Sequence, residues 1–494
     1  MTGRTKPRPP ERAGGHRPPA RGWWGRGGGQ SKVLDGPVLA RGTTVQVCGL
    51  WPWVVGAGTP RAGVPLGRHL DTGATVCADP ISWFRDARLI ANPSLFILGL
   101  PGLGKSTVSR RMVVGLAGYG VVPMVLGDTK PDYVDAIRAI EGQVIELGPG
   151  RGSLNVLDPG ESSGAAALLR DAGHPTEAAQ VEADAHSRRR VIVSALIAIL
   201  RKAPVSAIEE SILGQALYVL DARHPGVPVL TDLLQVIRDA PDRVREVAVD
   251  RGSRQRYDEI TEALEAALLS LVRGGRLGDM FSRPTSEPMR RDRPVVYDIS
   301  GLPEGEQDQR AAALLACWSN GFATVNVAHT LADVGLEPRR HYLTVMDELW
   351  QALRSGPAMV DRTDALTRLN RTIGTGTIFI THTMADLASL ATEEDRMKAR
   401  GFIERAGMVI CGGLPAHEMP MLTQVVPMSR REETLLASWA TPPGWKSDRD
   451  TPPPGMGKFL VKVGGRAGIP LQVELTATEA GIHDTSHRWH EAER

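Results

Sequence analysis

Leu95-Phe-Ile-Leu98-Gly99-Leu-Pro101-Gly102-Leu103-Gly104-Lys105-Ser106-Thr107 is the stretch that decides the fold. Its first four residues are an apolar run of the length of a buried strand, and Gly99 to Thr107 fit the phosphate-loop pattern G-x-x-x-x-G-K-[ST]. Val108-Ser-Arg-Arg-Met-Val-Val-Gly-Leu116 then reads as a helix. Strand, glycine-rich loop and helix in this order make a cradle for a nucleoside triphosphate, so Gly99, Pro101, Gly102, Leu103, Gly104, Lys105, Ser106 and Thr107 are the expected nucleotide-binding residues. The glycines let backbone N–H groups turn inward around the β-phosphate, and the helix N-terminus adds its positive dipole end. Lys105 is expected to reach the β- and γ-phosphates, and the Ser106 hydroxyl to ligate Mg²⁺. A flexible Gly/Pro loop that binds nothing is the bland alternative, and the flanking strand and helix argue against it.

Outward from the loop, Val122–Leu126 reads as a second strand ending near Asp128, and Gln143–Leu147 as a third. From 161 to 290 the signals become helical: Val191–Arg201, Ala207–Leu220, Leu230–Ile237 and Ile260–Val272 carry apolar residues at helical spacing. Strands resume at Val295–Asp298, Tyr342–Met346, Thr377–Ile380 and Met408–Ile410. A proline-rich linker (Thr441-Pro-Pro and Thr451-Pro-Pro-Pro454) precedes an expected hairpin, Lys458–Val463 with Pro470–Leu475. Five pieces result: an Arg/Gly/Pro-rich tail expected to be disordered (1–34), a small β region containing Thr44–Cys48 and Asp71–Val76 (35–90), a first part of the P-loop core (91–160), a helical insertion (161–290), and a second part of the core with the hairpin (291–494). The tail reads as a basic arm for nucleic acid or anionic lipid, or as a solvated tail or misassigned start.

Composition narrows the class. The chain has 494 residues, enough for two or three domains, and a net charge of only +2, so no global basic field advertises nucleic acid. Four cysteines (Cys48, Cys77, Cys317, Cys411) are scattered, which argues against a zinc site or a disulfide framework and fits a reducing cytosol. No apolar run approaches the ~20 residues of a spanning helix, and the N-terminus lacks the apolar core of a signal peptide. These features suggest a cytoplasmic protein, with docking on a membrane assembly left open.

A second chemical site is Tyr342-Leu-Thr-Val-Met-Asp347-Glu348-Leu-Trp350, an apolar strand ending in paired acids. Asp347 is expected to hold Mg²⁺, and Glu348 to orient and deprotonate the attacking water. The string alone is weak, but it gains weight downstream of a phosphate loop. The Asp-x-x-Gly of a GTPase switch is absent here, which favours ATP hydrolysis. Thr377-Ile-Phe-Ile-Thr381-His382 ends a strand in a polar residue suited to sensing the γ-phosphate; the bland alternative is a hydrogen-bonded strand-end histidine. Arg368 and Arg371 share a helical face and could reach a neighbour's γ-phosphate in a ring, or be solvated surface charges.

The order of these motifs resembles the FtsK–HerA superfamily of P-loop ATPases, in particular those of type IV secretion and conjugation of the VirB/TrbE/TraC kind. In that family a strand-two segment ends in Tyr, matched by Gly127-Asp128-Thr-Lys130-Pro-Asp132-Tyr133. A Gly-rich segment with Asn and Asp is matched by Leu147-Gly-Pro-Gly-Arg-Gly-Ser-Leu-Asn155-Val-Leu-Asp158, and Asp-Glu-hydrophobic-Trp by Asp347 to Trp350. Arg-x-x-Arg-Lys-x-Gly is matched from Arg368 to Gly374 with Thr372 in place of Lys, and Thr-Gln by Thr381-His382. Leu277-Gly-Asp-Met-Phe281 looks like the family's closing segment of the helical insertion. The resemblance spans about residues 60–494 and implies an α/β fold: a RecA-like core with a mostly parallel central sheet, the helical insertion and the small N-terminal β region. It implies an ATP- and Mg²⁺-dependent motor, a homo-hexamer docked on membrane-embedded channel proteins at the inner face of the membrane, with DNA or protein as the transferred substrate. The large amino-terminal domain that many relatives use for docking is expected to be missing or much reduced. A coupling-protein or FtsK-like DNA translocase, a non-hydrolysing ATP-binding scaffold and a P-loop metabolic kinase are the alternatives. The intact Lys105, Asp347 and Glu348 argue against the scaffold, and the long insertion with its late Asp-Glu against the kinase.

Overall fold

The computed structural model describes residues 59–273, 277–354, 360, 363, 374–442 and 453–482. Thr44–Cys48 and the tail to residue 34 lie outside them. The strands are β1 (Pro65–His69), β2 (Thr75–Cys77), β3 (Ser94–Leu98), β4 (Val121–Asp128), β5 (Gln143–Glu146), β6 (Val295–Asp298), β7 (His341–Met346), β8 (Thr375–Ile380), β9 (Met408–Cys411), β10 (Lys458–Lys462) and β11 (Ile469–Val473). They form one sheet in the order β2-β1-β11-β10-β9-β3-β8-β7-β4-β6-β5. All pairings from β9 to β5 are parallel, and those from β9 through β10, β11 and β1 to β2 are antiparallel. The fold is α/β with a mostly parallel sheet, and the described part of the N-terminal β region extends that same sheet.

Parallel strands covered on both faces read as unbroken apolar runs, and every residue of β3 is buried. Successive side chains point to opposite faces. Leu95 and Ile97 accordingly pack with Val108, Met112 and Leu116 of the helix Lys105–Gly118. Phe96 and Leu98 face the other layer, where the helix Gln307–Asp333 and the helices between β5 and β6 lie. Truncating one such core side chain, as in Met112→Ala, removes apolar contact and costs about 2–5 kcal/mol.

The connection from β5 to β6 consists of helices, although the two strands are paired neighbours. Its longest helix is Pro175–Arg201, which starts well before the expected Val191. The turns before Val191 bury Ala178, Val181 and Ala185 together with the polar His186 and Arg189, a stripe too weakly apolar to stand out in the sequence, and Pro175 opens the helix at its first turn. Ala207–Arg223 starts with a reciprocal Ser206–Glu209 capping box, and Arg254–Val272 is six residues longer at its start than expected. Contrary to the expectation that no run approaches spanning length, Gln307–Asp333 is, alone among the described helices, long and apolar enough to cross a membrane, but most of its apolar window is buried in the core, as in the core helix of a globular domain.

Candidate functional site

Strand register gathers the site. Ile97 of β3 pairs with Ile380 of β8, and Phe379 of β8 with Met346 of β7, so the three strands end along one edge. Gly99, Thr381 and Asp347 therefore begin neighbouring loops, with β8 lying between the phosphate-loop strand and the acidic strand.

The phosphate loop closes on Gly104, whose φ of 97° is a left-handed conformation that only glycine adopts freely. Gly104 caps the helix Lys105–Gly118, so the free N–H groups of its first turn open onto the loop. Three backbone hydrogen bonds fix the loop: Gly99 N–H to the His382 carbonyl, Leu100 N–H to the Gly413 carbonyl and Gly457 N–H to the Leu103 carbonyl, each 3.0 Å. The last ties it to the turn that starts β10.

Lys105 is 7% exposed and donates from Nζ to the carbonyls of Gly99 (2.7 Å) and Leu100 (3.2 Å). Burial lowers its pKa to about 8, against the opposing pull of Asp347 and Glu348. Asp347 accepts from the Tyr133 hydroxyl on Oδ2 (3.2 Å) and from the Glu348 N–H on Oδ1 (2.8 Å). Burial, then the charge of Glu348, raise Asp347 to about 6.

Glu348 is buried, with a left-handed φ of 53°, a strain of about 1–3 kcal/mol of the kind that concentrates at functional sites. Oε2 faces His382 Nε2 at 3.4 Å and accepts from Trp350 Nε1 at 2.5 Å, while Lys130 Nζ stands 3.5 Å from Oε1. Burial pushes this carboxyl up, but the His382 hydrogen bond and charge, with Lys130 and Trp350, outweigh it and hold the pKa at about 2. Thr381 Oγ1 and His382 Nδ1 are buried without a hydrogen-bond partner, unusual for polar atoms in a packed interior.

Lys105, Ser106, Asp347, Glu348 and His382 thus lie along one edge of the sheet, whereas Arg368 and Arg371 lie outside the described residues. Sequence reasoning did not assign Lys130, Tyr133 or Trp350 to the site, although all three stand in the motifs quoted above. After β4, the buried Asp128 carboxylate accepts from the N–H groups of Lys130 (3.3 Å), Asp132 (3.1 Å) and Tyr133 (2.7 Å), folding that turn over β7.

Among the described residues no cluster of three His, Cys, Asp or Glu could hold a metal by itself. A Mg²⁺ ion does not need one: Ser106 and Asp347 are hard oxygen donors of the kind it takes, and would hold it together with phosphate oxygens and water. The residues present fit that ion. A separate cavity of about 520 Å³, between the helices Pro175–Arg201 and Gln307–Asp333, is lined by none of these residues.

No family model and no curated protein sequence matches the chain. Solved structures do. The structure of VirB4 of Thermoanaerobacter pseudethanolicus matches at a TM-score of 0.62 and 17% identity, covering 86% of this chain and 100% of that one. The bacterial conjugative coupling protein TrwBdeltaN70 matches at a TM-score of 0.50 and 12% identity, covering 85% of this chain and 90% of that one. This chain shares their fold.

Proposed function

We propose that the protein is an ATP-hydrolysing motor of the type IV secretion and conjugation kind. The observation that carries this reading is the convergence of Lys105, His382 and the Asp347–Glu348 pair from three adjacent strand ends. Lys105 would exchange its two loop carbonyls for the β- and γ-phosphates of ATP, and Ser106 and Asp347 would hold Mg²⁺. The ion, when bound, neutralises phosphate charge. Glu348 would orient the attacking water and accept its proton, and His382 would link that acid to the γ-phosphate. Shared fold with VirB4 and TrwB structures supports the choice of kind over a metabolic kinase.

The same proposal includes a homo-hexameric ring, Arg368 or Arg371 completing a neighbour's site, and a cytoplasmic chain docked on channel proteins at the inner face of the membrane. A DNA-translocating coupling protein is the second reading, favoured by the TrwB likeness. Phosphate release from sized oligomers, with and without single- and double-stranded DNA, tests both. ATPase activity without DNA stimulation supports the secretion motor and strong stimulation the translocase. Phosphate release no higher than background in the wild type, and the same in Glu348→Gln, overturns both and leaves the non-hydrolysing scaffold.

A further inference from the structure

Lys130 supplies a second ammonium group to a site whose phosphate loop already carries Lys105. Its Nζ lies 3.5 Å from Glu348 Oε1, and its side chain is 54% exposed whereas that of Glu348 is 7% exposed. An ion pair with one partner so open to solvent is weak and easily exchanged, and a phosphoryl group is a strong competing acceptor. The backbone of Lys130 is nonetheless held, since its N–H donates to the buried Asp128 carboxylate. The same turn delivers Tyr133 to Asp347, so one segment after β4 addresses both acids of β7. Burial is the main cause that lowers the Lys105 pKa, and the positive charge of Lys130 lowers it further.

We propose that Lys130 is a positioning residue for Glu348 that reads the γ-phosphate. With a diphosphate or no nucleotide, Lys130 helps His382 and Trp350 hold the Glu348 carboxylate; a γ-phosphate draws the ammonium away and frees Glu348 to turn toward water. The inference rests on the ATPase reading above. Trp350 reports the event, because its indole donates to the same carboxylate at 2.5 Å.

The test uses the full chain with Lys130→Met, Lys130→Arg and, to isolate one indole among ten tryptophans, Trp350→Phe. In the wild type, emission assigned to Trp350 shifts on adding a non-hydrolysable ATP analogue and stays put with ADP. In Lys130→Met it is shifted before any nucleotide is added and responds no further. In the same variant kcat falls about tenfold, KM stays within about twofold, and Lys130→Arg restores most of the rate. Wild-type emission and kcat in Lys130→Met overturn the proposal while the ATPase reading stands. A raised KM at unchanged kcat also overturns it, because Lys130 would then only bind nucleotide. A wild type that neither binds nor hydrolyses ATP overturns both.

Discussion

His382 Nε2 stands 3.4 Å from Glu348 Oε2, while the carbonyl of the same histidine accepts the N–H of Gly99 at 3.0 Å. One residue at the end of β8 therefore touches both the phosphate loop and the acid that would activate water. His382→Ala removes the side-chain link and should lower steady-state phosphate release about tenfold, whereas His382→Gln keeps a donor and most of the rate. A wild-type rate in His382→Ala would show that the imidazole carries no sensing role.

Glu348→Gln removes the proton acceptor but keeps the size of the side chain. Turnover should drop at least about a hundredfold, with nucleotide still bound. Asp347, raised to about 6 by burial and then by the charge of Glu348, should titrate lower because the second cause is gone while burial remains. Fluorescent-nucleotide titration beside a phosphate-release assay separates binding from chemistry.

Gly457 combines a φ of 69° with a position where a Cβ would meet Gln472 Nε2 at 2.7 Å, and its N–H holds the Leu103 carbonyl. Gly457→Val should cost about 1–3 kcal/mol, lowering Tm, and weaken nucleotide binding by loosening the phosphate loop from the C-terminal hairpin. Full nucleotide affinity at lowered Tm would show that this tether matters to stability alone.

Lys105 has a pKa of about 8 in the folded chain, below its ordinary 10.5. Between those values the unfolded chain holds a proton that the folded chain has lost, so stability should rise with pH. The contribution is about 1.4 kcal/mol per pH unit at most, and below pH 8 the burial penalty is present in full. Denaturant unfolding of the nucleotide-free protein from pH 8 to 10.5 should show this slope in the wild type and not in Lys105→Met.

Much of the site was legible because its chemistry is local. The phosphate loop needs its glycines, lysine and hydroxyl within nine residues, and Tyr342–Met346 announces a strand whose next two residues are acids. Thr381-His382 was legible as a polar strand end for the same reason. The first half of the helix Pro175–Arg201 was not, because it buries only two alanines, one valine and a histidine and its other faces carry charged residues.

The sequence by itself determined the strand–loop–helix unit, the acidic strand end and the run of helices between Gln143–Glu146 and Val295–Asp298, since each depends on spacing within one short segment. The tertiary structure alone decided that β8 lies between β3 and β7, which sets His382 between Gly99 and Glu348. It alone brought Lys130 and Tyr133 to acids more than two hundred residues away, and Gly457 to the phosphate loop. The physical reason is that strand order and register are set by burial of whole faces against distant layers, and no local window of sequence contains that balance.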